Sequence, residues 1–233
     1  ARVDAGLLGR GFMYAGRPGF IGLSFGGFGI QFIDPNTSDI SDAAGAATGG
    51  DVDVILPKIE ANWGMAFDAW NFQLRGGYQY YCIKDVATAG GSEDIGVNSM
   101  GLGADGRFNF GPAYVGAGIA YTVNGGQAGW TGGSGFWDGD DDMDDTDTIQ
   151  GGVVVGFKMS DMVSFEGGFG YRTDSYDIDR DDQDTWEMYV QSNIGLAPGV
   201  WLIPEFGYAA LDADGSSSDS TDWYLGAKWQ MDF

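Results

Sequence analysis

Read backward from Phe233, the chain repeats one pattern: an apolar residue at every second position, broken at intervals by turn residues. In 223–233, Trp223, Leu225, Ala227, Trp229, Met231 and Phe233 share one parity; Tyr224, Gly226, Lys228, Gln230 and Asp232 share the other. A strand sends successive side chains to opposite faces, so this stretch has one apolar and one polar face. Neither a frayed tail nor a helix keeps that period. The final residue is expected to be buried in something apolar.

The pattern recurs upstream. Residues 199–211 place Val200, Leu202, Pro204, Phe206, Tyr208 and Ala210 together, and 184–197 oppose Trp186, Met188, Val190, Ile194 and Leu196 to Glu187, Tyr189, Gln191 and Asn193. Residues 162–173, 147–159, 112–123, 98–110, 71–83 and 58–67 alternate in the same way. The first strand is expected over 20–32, with bulges at Gly26-Gly27 and near Pro57 where the parity slips. Ten strands result.

The connections fall into two kinds. One set is minimal: 68–71, 110–113, 160–162 and 197–199. The other set, roughly 33–54, 85–94, 124–147, 174–184 and 211–222, is longer and holds 25 of the chain's 34 Asp and Glu residues. Arg180 is the single Lys or Arg within those five loops.

Composition narrows the class. Glycine is 42 of 233 residues but has no triplet period, so a collagen helix is excluded, and aromatics at 15% argue against disorder. A net charge of −23 disfavours a nucleic-acid partner, which needs clustered Lys and Arg. Cys82 stands alone, so no intramolecular disulfide can form; sharing parity with Tyr80, it is expected to face outward and be idle. There is no apolar run of about 18 residues to make a spanning helix, and no signal peptide, so the chain starting at Ala1 reads as a mature form. A closed barrel remains available, since it too satisfies every backbone group in lipid, with a weak hydropathy signal per segment.

Short turns on one rim, long loops on the other, and a strand ending in Phe233 resemble a Gram-negative outer-membrane β-barrel of the small porin-like, monomeric class. The resemblance covers about 19–233. Gly226, Trp229, Met231 and Phe233 match that family's barrel-assembly signal, which implies recognition by the barrel-assembly machinery. The fold implied is a transmembrane antiparallel up-and-down β-barrel of ten strands, with twelve or eight as alternatives. Its short turns would be periplasmic and its long acidic loops extracellular, making the chain a multi-pass protein of the bacterial outer membrane. Phe233 would face lipid, its strand closing the ring against the first.

The polar parity directs Lys58, Arg75, Arg107, Lys158, Arg172 and Lys228 inward, with Glu60, Asp105, Glu166, Glu187 and Glu205. Such a nearly balanced lining suits either a hydrated pore whose charges tune selectivity or an internal ion network that closes it. Inward glycines, among them Gly116, Gly118, Gly156, Gly195, Gly207 and Gly226, leave space and favour the pore. Residues 1–18, with Arg2, Arg10 and Arg17, form a separate segment: a plug pairing with Glu166, Glu187 or Glu205, or a periplasmic lead.

In the acidic loops, Asp138, Asp140, Asp142 and Asp144, and Asp177, Asp179 and Asp181, put carboxylates at alternating positions, as hard cations such as Ca²⁺ prefer. No EF-hand pattern is present, and a solvated, self-repelling rim is the simpler reading. Trp63, Phe67, Phe108, Phe110, Trp229 and Phe233 near the short turns, and Tyr78, Tyr80, Tyr121, Tyr171, Trp186 and Trp223 near the loops, suit two interfacial belts.

No histidine is present, which removes the usual general base and argues against an enzyme. The function implied is a passive channel for ions or small hydrophilic solutes, weakly cation-selective and without cofactor. Its partners would be the lipid bilayer, lipopolysaccharide and small ions or solutes. The alternative is a closed structural barrel whose acidic loops bind divalent cations, lipopolysaccharide or surface partners.

Overall fold

The computed structural model describes residues 19–35, 37, 41–42, 49–88, 90–137, 139, 143–177, 181–213 and 219–232. Among these every regular element is a strand: β1 (Phe20–Phe25), β2 (Phe28–Ile33), β3 (Ser41–Asp42), β4 (Asp51–Asp53), β5 (Lys58–Ala66), β6 (Trp70–Thr88), β7 (Gly91–Phe110), β8 (Ala113–Val123), β9 (Phe136–Trp137), β10 (Met143–Asp144), β11 (Thr146–Lys158), β12 (Val163–Tyr176), β13 (Gln183–Ala197), β14 (Val200–Ala213) and β15 (Ser220–Met231).

One antiparallel sheet runs β1-β2-β5-β6-β7-β8-β11-β12-β13-β14-β15, each strand beside the next, with β4 joined to β6. β10, β9 and β3 make a separate small sheet. The order is that of an up-and-down barrel, but β1 and β15 do not pair, so the sheet is open among the described residues where a closed ring of ten strands was expected. The difference in count begins at Gly26-Gly27. Positive φ at both residues (53° and 82°) makes a two-residue hairpin turn rather than a bulge, and Phe25 pairs with Phe28. Gly27 also lies so near the Gly64 carbonyl that a Cβ would collide with it.

The short turns fall where the sequence places them: after β5, β7, β11 and β13, with Gly111 and Gly199 at φ 63° and 75°. One expected loop is not a loop. Over 85–94, β6 and β7 continue to a tight end where Thr88 pairs with Gly91, after a register shift between Ile83 and Val86. Asp85, at φ 57°, absorbs that shift.

Burial inverts the rule for soluble proteins. Gln79, Ser99, Thr122, Thr146, Thr148, Gln150 and Asp174 are almost wholly buried, while Leu102, Ile119, Val155, Val190 and Leu225 are exposed. In water each such apolar side chain forgoes about 1.5–3 kcal/mol of burial, which a bilayer restores. The parity alone left open which face points inward; the buried face is the polar one. Phe67 and Trp70 stack at 4.2 Å at one short turn, and Phe108 and Phe110 at 6.0 Å at the next, on the exposed face near that rim.

At the other rim β6 and β7 rise past their neighbours. There the inward residues turn apolar: Tyr81, Ile83, Val86, Ile95 and Val97 pack with Trp137 of the small sheet, and Met143 flanks them. Cys82 is buried beside Tyr80, whose hydroxyl lies 3.3 Å from its sulfur.

Candidate functional site

β8 ends at Val123, and the chain then turns into the concave side of the sheet. Asn124 makes the corner in the left-handed region, at φ 51°, a conformation asparagine tolerates better than most residues. Its side chain fixes the turn. Nδ2 donates to the Asn98 carbonyl (3.1 Å) and to Asp145 (2.6 Å), and Oδ1 accepts from the Thr146 amide (2.9 Å).

Residues 124–135 then lie on the inner wall. The Lys58 ammonium of β5 donates to the Ala128 carbonyl (3.0 Å), and Gln79 of β6 donates to the Gln127 carbonyl (3.2 Å). The Trp130 indole N–H reaches Glu60 of β5 (2.7 Å), whose carboxylate is 3.5 Å from the Lys58 ammonium. Thr122 of β8 donates to the Thr131 carbonyl (3.0 Å), and the Gly133 amide donates to Thr148 Oγ1 of β11 (3.0 Å). Thr148 in turn donates to Asp174 of β12 (2.5 Å), which Arg172 also holds. Gln127 ties the segment to itself through both the amide and the carbonyl of Gly135.

Close seating requires glycine. The Trp130 indole lies over Gly77 of β6, where a Cβ would overlap the ring. Thr146 and Thr148 crowd Gly132 and Gly133 from β11, and Gly132 has φ 130°. The segment is therefore a fitted insert with satisfied polar groups.

Toward the short-turn rim the inner face changes character. Arg75 and Asp105 pair at 2.8 Å. Arg107 stacks on Tyr114, 3.5 Å from the ring centre, and its Nε donates to Asn109. Glu166 accepts from the hydroxyls of Tyr114 and Tyr189 and from Gln191. Tyr224 donates to Glu205 at 2.5 Å, Lys228 to Gln230 at 2.8 Å, and Lys158 bridges Asp161 at 2.7 Å. A cavity of about 540 Å³ opens here, with Arg107, Tyr114, Lys158, Glu166, Gln191 and Asn193 in its wall.

Each of the eleven charged residues read as inward lies on this polar face, where the described contacts are of several kinds. Lys58–Glu60 and Arg75–Asp105 are direct pairs; Glu166, Glu205 and Lys228 bond neutral partners, and Glu187 is buried on β13 beside Gly170. The inward glycines are less open than their number suggests, since Tyr114 covers Gly156, Trp201 covers Gly195 and Tyr224 covers Gly207. The acidic loops do not assemble a metal centre among the described residues. Asp144 sits on β10, Asp177 follows β12, and Asp181 is exposed before β13. Asp138, Asp140, Asp142 and Asp179 lie outside the described residues, as do Phe233 and the plug or lead expected over 1–18. Gly226 faces inward on β15, and Trp229 and Met231 face outward.

The insert corrects the expectation of a single acidic outer loop over 124–147: only its second part carries the aspartates. A signal was present: 124–135 has no charged residue, whereas 138–147 is crowded with aspartate.

No family model matches the sequence, and no curated protein does. Solved structures do. The outer membrane channel DcaP of Acinetobacter baumannii superposes with a TM-score of 0.71 at 13% identity, over 95% of this chain and 61% of that one. OmpT of Vibrio cholerae, expressed in the outer membrane, matches with a TM-score of 0.53 at 13% identity, over 92% and 80% of the two chains. Its loop L8 deletion mutant matches at 0.58 and 13%, over 90% and 60%. This chain thus spans about three fifths of the length of DcaP. It has the fold of a Gram-negative outer-membrane β-barrel protein, the architecture that crosses the outer membrane many times.

Proposed function

We propose that this protein is a porin-like channel for passive diffusion of ions or small hydrophilic solutes, with a bore narrowed by residues 124–135. One observation carries the reading: a neutral, glycine-rich segment is seated on the inner wall from β5 to β11, while charged and hydroxyl-bearing side chains surround a cavity below it. The insert bonds to one side of the wall. The path for solutes would run between it and β13–β15 and then past Arg75, Asp105, Arg107, Lys158 and Glu166 toward the short turns, whereas Lys58 and Glu60 lie under the insert and Glu187 and Glu205 are buried. Weak cation selectivity follows from the excess of carboxylates in the outer loops, which raises local cation concentration. The chemistry is non-enzymatic, consistent with a chain without histidine. The lipid bilayer and lipopolysaccharide surround the barrel, and the barrel-assembly machinery reads Gly226, Trp229, Met231 and Phe233.

Single-channel recording in a planar bilayer under a KCl gradient tests this. Discrete steps with a reversal potential on the cation side are expected. Silence from folded protein would overturn the channel and favour the second reading, a closed structural barrel whose acidic loops bind divalent cations. That reading draws on the same insert, whose polar groups are too well satisfied to leave easily.

A further inference from the structure

The cavity at the short-turn rim is open, yet the charges in its wall are already answered. Two cations, Arg107 and Lys158, stand there with two carboxylates, Asp161 and Glu166, so the sum is zero. Lys158 bridges Asp161 at 2.7 Å. Arg107 lies over the Tyr114 ring with Nε on Asn109, and Glu166 takes donors from Tyr114, Tyr189 and Gln191. An ion large enough to fill the cavity meets no charge left without a partner.

The groups that remain open are acceptors as well as donors, beside one free aromatic surface. Gln191 gives its amide nitrogen to Glu166 at 2.8 Å, which leaves its carbonyl oxygen to accept. Asn193, two residues further along β13, has an enclosed Oδ1 without a hydrogen-bond partner. The Arg107 guanidinium keeps its Nη groups to donate. Trp201 of β14 lies against Gly195, where a Cβ would come within 2.8 Å of the indole, so the ring rests on bare backbone. Unlike Trp130, it has no ring, cation or hydrogen-bond partner among the described residues, and it lines the cavity. An anion can only accept hydrogen bonds, and an ammonium group can only donate them, whereas a hydroxyl does both. A sugar ring also has an apolar C–H face that packs on an aromatic ring while its hydroxyls reach planar amide and guanidinium groups at the edge.

We propose that this cavity binds a neutral sugar of one or two rings, stacked on Trp201 and hydrogen-bonded through its hydroxyls to Gln191, Asn193 and Arg107. The volume of about 540 Å³ falls within the roughly 300–1,000 Å³ of small-molecule sites. The insert leaves the cavity free, because 124–135 bonds to the loop-side half of the wall. Passage of the sugar, as distinct from its binding, rests on the channel reading proposed above.

Saturation-transfer NMR on the full chain, folded in a sugar-free amine-oxide detergent, tests binding without any current. Maltose is the probe and succinate its anionic counterpart. Maltose C–H protons should receive saturation, and succinate should neither receive it nor compete. Trp201→Ala should weaken maltose binding on the order of tenfold. Trp223→Ala, on the exposed outward face, should leave it unchanged. Asn193→Leu, which keeps the side-chain volume, should weaken it less than Trp201→Ala does. In single-channel recordings maltose should interrupt the open current with a frequency that rises with its concentration. Conducting protein that maltose neither blocks nor takes saturation from would overturn the site and spare the channel. Silent protein whose maltose signal depends on Trp201 would do the reverse. Succinate displacing maltose would overturn the neutral class, and the wild-type spectra decide even if Trp201→Ala fails to fold.

Discussion

The inner face has two halves that solve the same problem in opposite ways. In the loop-side half the lumen is filled by the protein's own chain, and its polar groups are neutral or tied in pairs: Thr122, Thr148, Gln79, and Lys58 with Glu60. In the half near the short turns the side chains are charged, and they surround an open cavity. There Arg107 and Lys158 remain exposed. On the channel reading proposed above, filling would set how wide the passage is, and the unfilled charges which ions prefer it. A variant in one half should therefore move one property and leave the other.

Deleting 126–133 is the strongest way to break that division. β8 and β11 pair directly up to Val123 and Asp147, so the wall should still form. Conductance is expected to rise several-fold in single-channel recordings, with a reversal potential close to that of the parent. Next comes Trp130→Ala. The indole is almost fully buried, and its loss is expected to cost about 3 kcal/mol in detergent unfolding. The loosened insert should also make the open current flicker. A third pair of variants separates the halves directly. Arg107→Gln should shift the reversal potential toward cations without changing conductance much. Gly77→Val, which drives a side chain into the Trp130 ring, should do the reverse.

The smallest effect lies outside the bore. Lys84 and Asp94, on the raised end of β6 and β7, form a 2.7 Å bridge. The Lys84 hydrogen bond, with help from the Asp85 amide, holds the Asp94 carboxyl below its ordinary value. The reciprocal bond holds the Lys84 ammonium above its own. The aspartate contribution is complete above the unfolded value of about 3.9 and disappears as pH falls through the lower folded one. The protection of amides in β6 and β7 beside Asp85 and Asp94, taken relative to their intrinsic exchange rate at each pH, should therefore fall below about pH 4, and Asp94→Asn should produce the same change at pH 7. Conductance should not respond to that variant.

Much of the wall was legible because strand parity is a local signal. Gln150 against Ile149, or Glu166 against Phe165, can be assigned to faces without knowing the partner strand. Direction around the ring is also local, since a turn such as Gly111-Pro112 leaves the next strand no other place. What the sequence hid depends on contacts far along the chain. The seat of Trp130 on Gly77 and Glu60 joins residues 53 and 70 positions apart, and neither end shows an unusual period. The hairpin at Gly26-Gly27 was hidden for a different reason: a two-glycine turn and a bulge look alike when the flanking residues are aromatic on both sides. Pairing followed neither pattern, because Glu166 found tyrosine hydroxyls on other strands, which parity does not foretell.

The raised hairpin of β6 and β7 carries its own altimeter. Along its inward face Gln79 and Ser99 are the last polar pair, and the next, Tyr81 with Val97, is apolar and fully enclosed. Outward, the same ascent passes from Tyr78 and Met100 to Lys84 and Asp94. Both faces thus exchange polarity within a few residues. Below that level the outward face is apolar and the inward face polar; above it the outward face is charged and the inward face apolar. The crossing marks, to within a few residues, the level at which apolar surroundings would have to end.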